Sequence, residues 1–142
     1  MTRIDRCVLL PYPADKLFAL VNDIEAYPDF MDGCVGAEIL KRDGALVEAR
    51  LDLARAGIRQ SFATRNQLVP PERIELTLVE GPFDQFAGCW QFRALGDDAC
   101  KVSLELEFTL RSSVLGAAAG KLFESVASHL VDAISSRAQA LY

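Results

Sequence analysis

An uninterrupted alternation of apolar and polar side chains runs from residue 100 to residue 110. Every second position from Cys100 to Leu110 is apolar, and the positions between hold Lys101, Ser103, Glu105, Glu107 and Thr109. Because successive side chains of a strand point to opposite faces, this pattern predicts a strand with one buried face and one solvated face. A single solvated face is typical of an antiparallel sheet. The segment therefore predicts an antiparallel sheet.

Similar signals recur along the chain and predict six further strands. Residues 47–53 alternate in the same way after the turn Asp43-Gly44, so residues 36–54 are predicted to form a hairpin. Turn residues at Ala56-Gly57, Pro70-Pro71 and Gly81-Pro82 separate the strands that follow. The remaining predicted strands are 3–10, 58–68, 73–80 and one that carries Phe86, Gly88, Trp90 and Phe92 on one face.

Helical spacing of apolar residues predicts three helices. Two short ones span 13–22 and 25–31, and the second contains Pro28. A much longer one runs from 112 to about 141, free of proline, with its apolar residues in one broad arc. At 1.5 Å per residue, about 27 residues make a helix of roughly 40 Å. The prediction is an α+β fold in which a seven-stranded curved antiparallel sheet wraps round a long C-terminal helix, in the order β-α-α-β6-α.

Length and composition narrow the classes of protein. The chain has 142 residues, so residues 1–142 are expected to form a single domain. The longest run without a charged side chain is nine residues, 112–120, which is too short to span a bilayer. The N-terminal apolar run 7–10 is too short for a signal peptide, so the expected compartment is the cytoplasm, with at most peripheral contact at the inner membrane. The four cysteines form no C-x-x-C pair, so no metal site is predicted.

Charge is unevenly distributed along the chain. The net charge of −5 argues against DNA binding, yet residues 41–73 hold seven basic and four acidic side chains. This segment is either an ordinary solvated sheet surface or a face that binds the large ribosomal subunit through Arg50, Arg59 and Arg65.

One helix rarely fills the curl of such a sheet, so an apolar space between sheet and helix is expected, which either side chains or a ligand would fill. Its predicted walls are Phe62, Trp90, Phe92, Leu106, Phe108, Leu122, Phe123, Val126 and Leu130. Ordinary core packing is the alternative for each of them. The predicted entrance lies at residues 33–36 together with Gly81-Pro82.

Polar candidates for a ligand head group are Asn66 and Arg137. Alternation places Asn66 on the inward face beside Phe62, where its amide bonds either to backbone or to a ligand. Arg137 falls on the buried side of the last helix, so it pairs with Asp23 or Glu25, contacts a ligand carbonyl, or emerges past the sheet edge. His129, the only histidine, is predicted to be a half-buried packing residue, and no catalytic residue is predicted.

Four blocks of sequence resemble the START-like proteins of the helix-grip fold, in the branch of the ribosome association toxin RatA and the mitochondrial coenzyme Q-binding proteins, once described as oligoketide cyclases. The blocks are residues 20–28 with Phe30 and Cys34, residues 62–66, residues 81–83 with Gly88, Trp90 and Phe92, and Arg137-Ala138 with Leu141-Tyr142. The resemblance implies a tunnel that accepts ubiquinone or another isoprenoid lipid, and a chaperone role in respiration. It also implies the rival function of binding the large ribosomal subunit.

Three functions therefore follow, in order of preference. The first is non-catalytic binding of a hydrophobic ligand of the ubiquinone type, with no other cofactor. The second is a RatA-like toxin that blocks the association of ribosomal subunits. The third is a polyketide cyclase or aromatase, ranked last because no acid/base pair is recognisable and fold alone does not decide chemistry.

Overall fold

Seven antiparallel strands form one sheet in the order β1-β7-β6-β5-β4-β3-β2 in a computed structural model of the chain. The structure describes residues 2–111 and 114–142, and the side chains of these except 114–117 and 119. The strands are β1 (Thr2–Leu10), β2 (Cys34–Asp43), β3 (Leu46–Arg55), β4 (Ile58–Val69), β5 (Arg73–Glu80), β6 (Phe83–Ala94) and β7 (Cys100–Leu110). The predicted seven-stranded antiparallel sheet is confirmed, with most boundaries within two residues of their predicted positions.

Two short helical segments connect β1 to β2. Helix α1 (Ala14–Asn22) buries Leu17, Phe18, Leu20 and Val21, which are the residues whose spacing predicted it. The segment expected to be a second α-helix is a 3₁₀ helix, Ile24–Asp29, which contains Pro28. Proline has no N–H to donate and its ring crowds the preceding turn, which favours a short irregular helix over an α-helix.

The C-terminal helix is interrupted, contrary to the prediction of one continuous helix. Helix α2 spans Val114–Ser128 and helix α3 spans Leu130–Leu141, while the predicted start at Ser112 lies outside the described residues. At the break, the backbone N–H of His129 donates to Val126, three residues back. The His129 ring Nδ1 lies 2.7 Å from the Ser125 carbonyl oxygen. In a continuous α-helix the Ser125 carbonyl oxygen would accept a hydrogen bond from the backbone N–H of His129. Here the His129 side chain occupies that oxygen, and the backbone N–H forms the tighter bond to Val126.

The core lies between the apolar face of the sheet and the helices. On β7, Val102, Leu104, Leu106 and Phe108 are all buried, as their alternation predicts. Phe123 of α2 packs edge-on against Phe83 and Phe108, with ring centroids 4.9 and 4.8 Å apart. Such edge-to-face pairs add specific geometry to the burial of apolar area. No helix among residues 2–111 and 114–142 has the length and apolar character needed to cross a membrane.

Candidate functional site

An apolar cavity of about 80 Å³ lies between the concave face of the sheet and the helices. Strands β3 to β7 supply one wall, and the end of α1, the 3₁₀ helix, α2 and the first residue of α3 supply the other. The sheet has this space because it curves away from the helices, whose largest side chains fill the curl only in part. The cavity therefore occupies the place where the sequence predicts a tunnel.

Six of the nine predicted wall residues line this cavity: Phe62, Trp90, Leu106, Phe123, Val126 and Leu130. The other three lie elsewhere, which corrects their assignment. Phe92 is buried against Phe18 of α1, with ring centroids 5.5 Å apart. Phe108 is enclosed by Phe83 and Phe123, and Leu122 faces a separate groove between α2 and the β3–β4 turn. Alternation and helical phase predict which face a side chain takes, and they do not resolve where along that face the cavity lies.

Among the described side chains that line the cavity, four are polar: Asn22, Tyr27, Thr64 and Asn66. The Thr64 hydroxyl donates to Asn66 Oδ1 at 2.8 Å, and both side chains are buried. With its oxygen occupied, the Asn66 amide retains its N–H groups as donors toward the cavity. Asn22 Oδ1 is buried and has no hydrogen-bond partner among the described residues.

Tyr27 is the one titratable residue among the described side chains that line the cavity. Its hydroxyl donates to the backbone carbonyl of Val21. Burial raises the pKa of the Tyr27 phenol well above its ordinary range, and the nearby Cys34 and Asp23 raise it further. The phenol is therefore neutral at physiological pH. The described side chains that line the cavity include no Asp, Glu, His, Lys or Arg.

Arg137 and His129 lie away from the cavity. The guanidinium of Arg137 stacks on the ring of Phe30 at 5.2 Å, and its Nε atom is buried with no hydrogen-bond partner in the described part of the chain. Of the alternatives for Arg137, an ion pair with Asp23 or Glu25 does not form between these described residues. His129 is exposed, not half-buried as predicted, because it sits at the break between α2 and α3.

The three arginines of the predicted ribosome face lie on the solvated side of β3 and β4, and two of them are ion-paired. Arg50 contacts Glu38 at 2.8 Å, and Arg65 contacts Glu48 at 2.7 Å. Arg59 is exposed near the β3–β4 turn. Acidic side chains on neighbouring strands therefore pair with two of the three arginines of this face.

Asn22, Tyr27 and Met31 line the cavity and were not predicted to do so. They lie at or after the end of α1, where no regular periodicity shows which side chains point inward. A signal was present nevertheless, since Asn22 and Tyr27 belong to the first sequence block that carries the family resemblance.

Comparison with known proteins places the chain in a family. The model described as "Polyketide cyclase / dehydrase and lipid transport" matches residues 10–135. The chain belongs to this family. Among its relatives, the ribosome association toxin RatA of Pseudomonas aeruginosa is 45% identical over 99% of this chain and 98% of its own length. A mitochondrial coenzyme Q-binding protein of Dictyostelium discoideum is 28% identical, over 59% of this chain and 42% of that protein.

Solved structures share the fold of this chain. A START superfamily protein from Mycobacterium smegmatis is 25% identical, with a TM-score of 0.79 and 99% coverage of both chains. The Zhui aromatase/cyclase from a Streptomyces species has a TM-score of 0.84 at 19% identity, covering 97% of this chain and 93% of that chain. The predicted START-like, helix-grip fold is thereby confirmed, and the second likeness concerns the fold alone.

Proposed function

We propose that the protein binds an isoprenoid quinone of the ubiquinone type without transforming it, and acts as a quinone chaperone in respiration. The observation that carries the proposal is the apolar cavity between sheet and helices, bordered at one place by the buried Thr64–Asn66 pair. The distant likeness to a coenzyme Q-binding protein supports the same ligand class. This activity belongs in the cytoplasm, with peripheral contact at the inner membrane where quinones reside.

Both parts of such a ligand suit the residues present. The Asn66 amide offers N–H donors to a ring carbonyl, because its oxygen is already engaged by Thr64. Trp90 and Phe123 supply aromatic surface for the ring. Each buried CH₂ group of an isoprenoid tail contributes about 0.8 kcal/mol, so affinity comes chiefly from apolar contact. The polar pair then sets the orientation of the ring.

Entry of a quinone ring requires the cavity to expand. Its volume of about 80 Å³ is well below the roughly 150 Å³ of an engineered apolar cavity that binds benzene. The walls that can move are the helices and the 3₁₀ segment, because the sheet side is fixed by its hydrogen bonds.

Native mass spectrometry of the purified protein, followed by organic extraction, tests the proposal. A stoichiometric isoprenoid quinone, either co-purified or taken up from added ubiquinone, is the expected result. Val126→Trp, which fills the cavity beside α2, abolishes uptake, while Glu124→Trp on the exposed face of the same helix retains it. A folded protein that neither carries nor takes up quinone contradicts the proposal.

Ribosome association is the second candidate, favoured by the 45% identity to RatA over nearly the whole of both chains. It predicts salt-sensitive co-sedimentation with large ribosomal subunits. Reversing the charge of Arg50, Arg59 and Arg65 together is expected to abolish it, whereas reversing the exposed Arg93 on β6 leaves it intact. Co-sedimentation that persists in the triple variant would exclude this face as the contact.

Cyclase activity stays the third candidate, since the family description includes cyclases. The test is turnover of an aromatic polyketide substrate. Turnover that is lost when a cavity side chain is replaced would make cyclase activity the first candidate.

A further inference from the structure

A second depression, the outer groove, lies on the other side of the seam between the sheet and α2. It measures about 250 Å³ and is lined by Ala56 and Ile58 at the β3–β4 turn, by Arg55, and by Ala118, Lys121, Leu122 and Ser125 of α2. Its floor is apolar, formed by Ile58, Ala118 and Leu122, and its charged and hydroxyl groups belong to Arg55, Lys121 and Ser125. The groove is open to solvent along one side.

Only a thin wall separates the outer groove from the cavity. Along β3, Leu53 lines the cavity and Arg55, on the same face two residues later, lines the groove. Along α2, Val126 lines the cavity and Leu122, one turn earlier, lines the groove. Gly33 completes the wall, because a Cβ atom there would lie 2.8 Å from Val126 Cγ2.

Arg55 ties the three parts of this wall together. Its Nη1 donates to Ser125 Oγ of α2 at 2.8 Å, and its Nη2 donates to Asp32 Oδ2 in the loop before β2 at 2.9 Å. The same loop is held to β3 by a backbone bond from the Ala54 N–H to the Gly33 carbonyl. The guanidinium therefore crosses the seam through which the cavity and the groove would join.

We propose that the outer groove receives the isoprenoid tail of the ligand whose ring occupies the cavity, and that Arg55 closes the passage between the two. This inference rests on the proposed function. The cavity of about 80 Å³ must already expand to take the ring alone, and the groove offers the tail an adjoining apolar surface that needs no further expansion of the cavity. Asp32 is 98% exposed and Arg55 is 40% exposed, and ion pairs so accessible to water contribute little to stability. Breaking this ion pair therefore costs less free energy than the burial of an apolar tail contributes.

Trp90 provides the signal for the test, since it is the only tryptophan and it lines the cavity. Quenching of its fluorescence is titrated with decylubiquinone and with the tail-less ubiquinone ring. Ala118→Phe fills the groove, so it is expected to weaken decylubiquinone binding roughly tenfold, about the contribution of two buried CH₂ groups, and to leave the ring unaffected. Glu124→Phe, on the exposed face of α2, is the matched control.

Ile58→Gln places an amide on the groove floor without added bulk and makes the same comparison if Ala118→Phe does not fold. Equal effects on both ligands, or no effect on either, overturn the tail site while leaving the proposed function standing. Failure of both ligands to quench Trp90 in the unaltered protein overturns the proposed function and the tail site with it.

Closure by Arg55 is tested without any quinone, through quenching of Trp90 by acrylamide. Arg55→Ala is expected to raise the quenching constant, and Asp32→Asn or Ser125→Ala, which each remove one contact, to raise it less. Arg93→Ala, at an exposed arginine of β6, is expected to leave it unchanged. A quenching constant in Arg55→Ala equal to that of the unaltered protein refutes closure by this side chain.

Discussion

Thr64 and Asn66 form a hydrogen bond with each other in a largely apolar wall of the cavity. The two residues are separated by one position on β4, so alternation places both side chains on the face of the strand that lines the cavity. Their mutual hydrogen bond lowers the cost of burying two polar groups. It also leaves the Asn66 N–H groups without a partner of their own within the pair, which is why we assign them to the ligand.

Asn66→Ala is expected to lower the free energy of unfolding by about 1–3 kcal/mol, because the Thr64 hydroxyl loses its buried acceptor. Urea denaturation measures this change. Thr64→Val combined with Asn66→Ala should cost less than the sum of the two single variants. Strictly additive costs would show that the two side chains do not act as a pair.

The raised pKa of Tyr27 has a consequence for stability at alkaline pH. Burial keeps the phenol protonated in the folded chain, whereas in the unfolded chain it ionises near its ordinary pKa of about 10. Its contribution to stability is therefore fully present below about pH 10 and is lost as the pH rises further. Tyr27→Phe should show a shallower decline of unfolding free energy between about pH 9 and pH 11.5 than the unaltered protein. If the unfolding free energies of Tyr27→Phe and of the unaltered protein decline in parallel, the raised pKa of Tyr27 is contradicted.

Among the strands, β6 shows how an element shapes the cavity. Gly88 is paired with Leu76 on one side and Leu106 on the other, and both leucines line the cavity. A Cβ atom on residue 88 would lie 2.4 Å from Leu106 Cδ2. The absence of a side chain here lets both leucines pack over the strand.

Gly88→Ala is expected to destabilise the protein by about 1–2 kcal/mol, since overpacking costs more than the entropy that alanine saves in the unfolded chain. It should also displace Leu106 toward the cavity and weaken quinone binding. Chemical denaturation and the Trp90 titration measure the two effects, with Ala87→Val on the exposed face of β6 as the control. Unchanged stability would mean that Leu106 has room to move.

Elements with strict periodicity could be predicted from the sequence, and those set by a single local contact could not. The alternation of β7 and the turn Asp43-Gly44 correspond to the observed strand and hairpin. The break at His129 depends on one side-chain bond to Ser125, which helical spacing does not encode. The same division holds for the site, where phase predicted the inward face for Phe62 and Val126 and gave no sign of Tyr27 or of the Arg55 bonds.

Across the whole molecule, a ligand that binds only the folded chain must stabilise it. At a free ligand concentration one hundred times the Kd, the expected gain in unfolding free energy is about 2.7 kcal/mol. Thermal unfolding with and without decylubiquinone measures it as a rise in Tm. Val126→Trp should show no such rise, because its cavity is filled. A rise of equal size in that variant would indicate binding elsewhere.

The pairing of β1 with β7 has a consequence for the order in which the chain is made. Thr2–Leu10 precedes the other six strands in the sequence, yet its hydrogen-bonding partner along the whole strand is Cys100–Leu110. The other strands can pair with their sequence neighbours as each is translated, whereas β1 must wait as an open edge until nearly all of the sheet exists. Contacts so distant in sequence slow folding and expose an unpaired strand in the meantime. β1, although it comes before the other six strands in the sequence, is thus among the last strands to be paired, and until then its backbone N–H and C=O groups lack their strand partner.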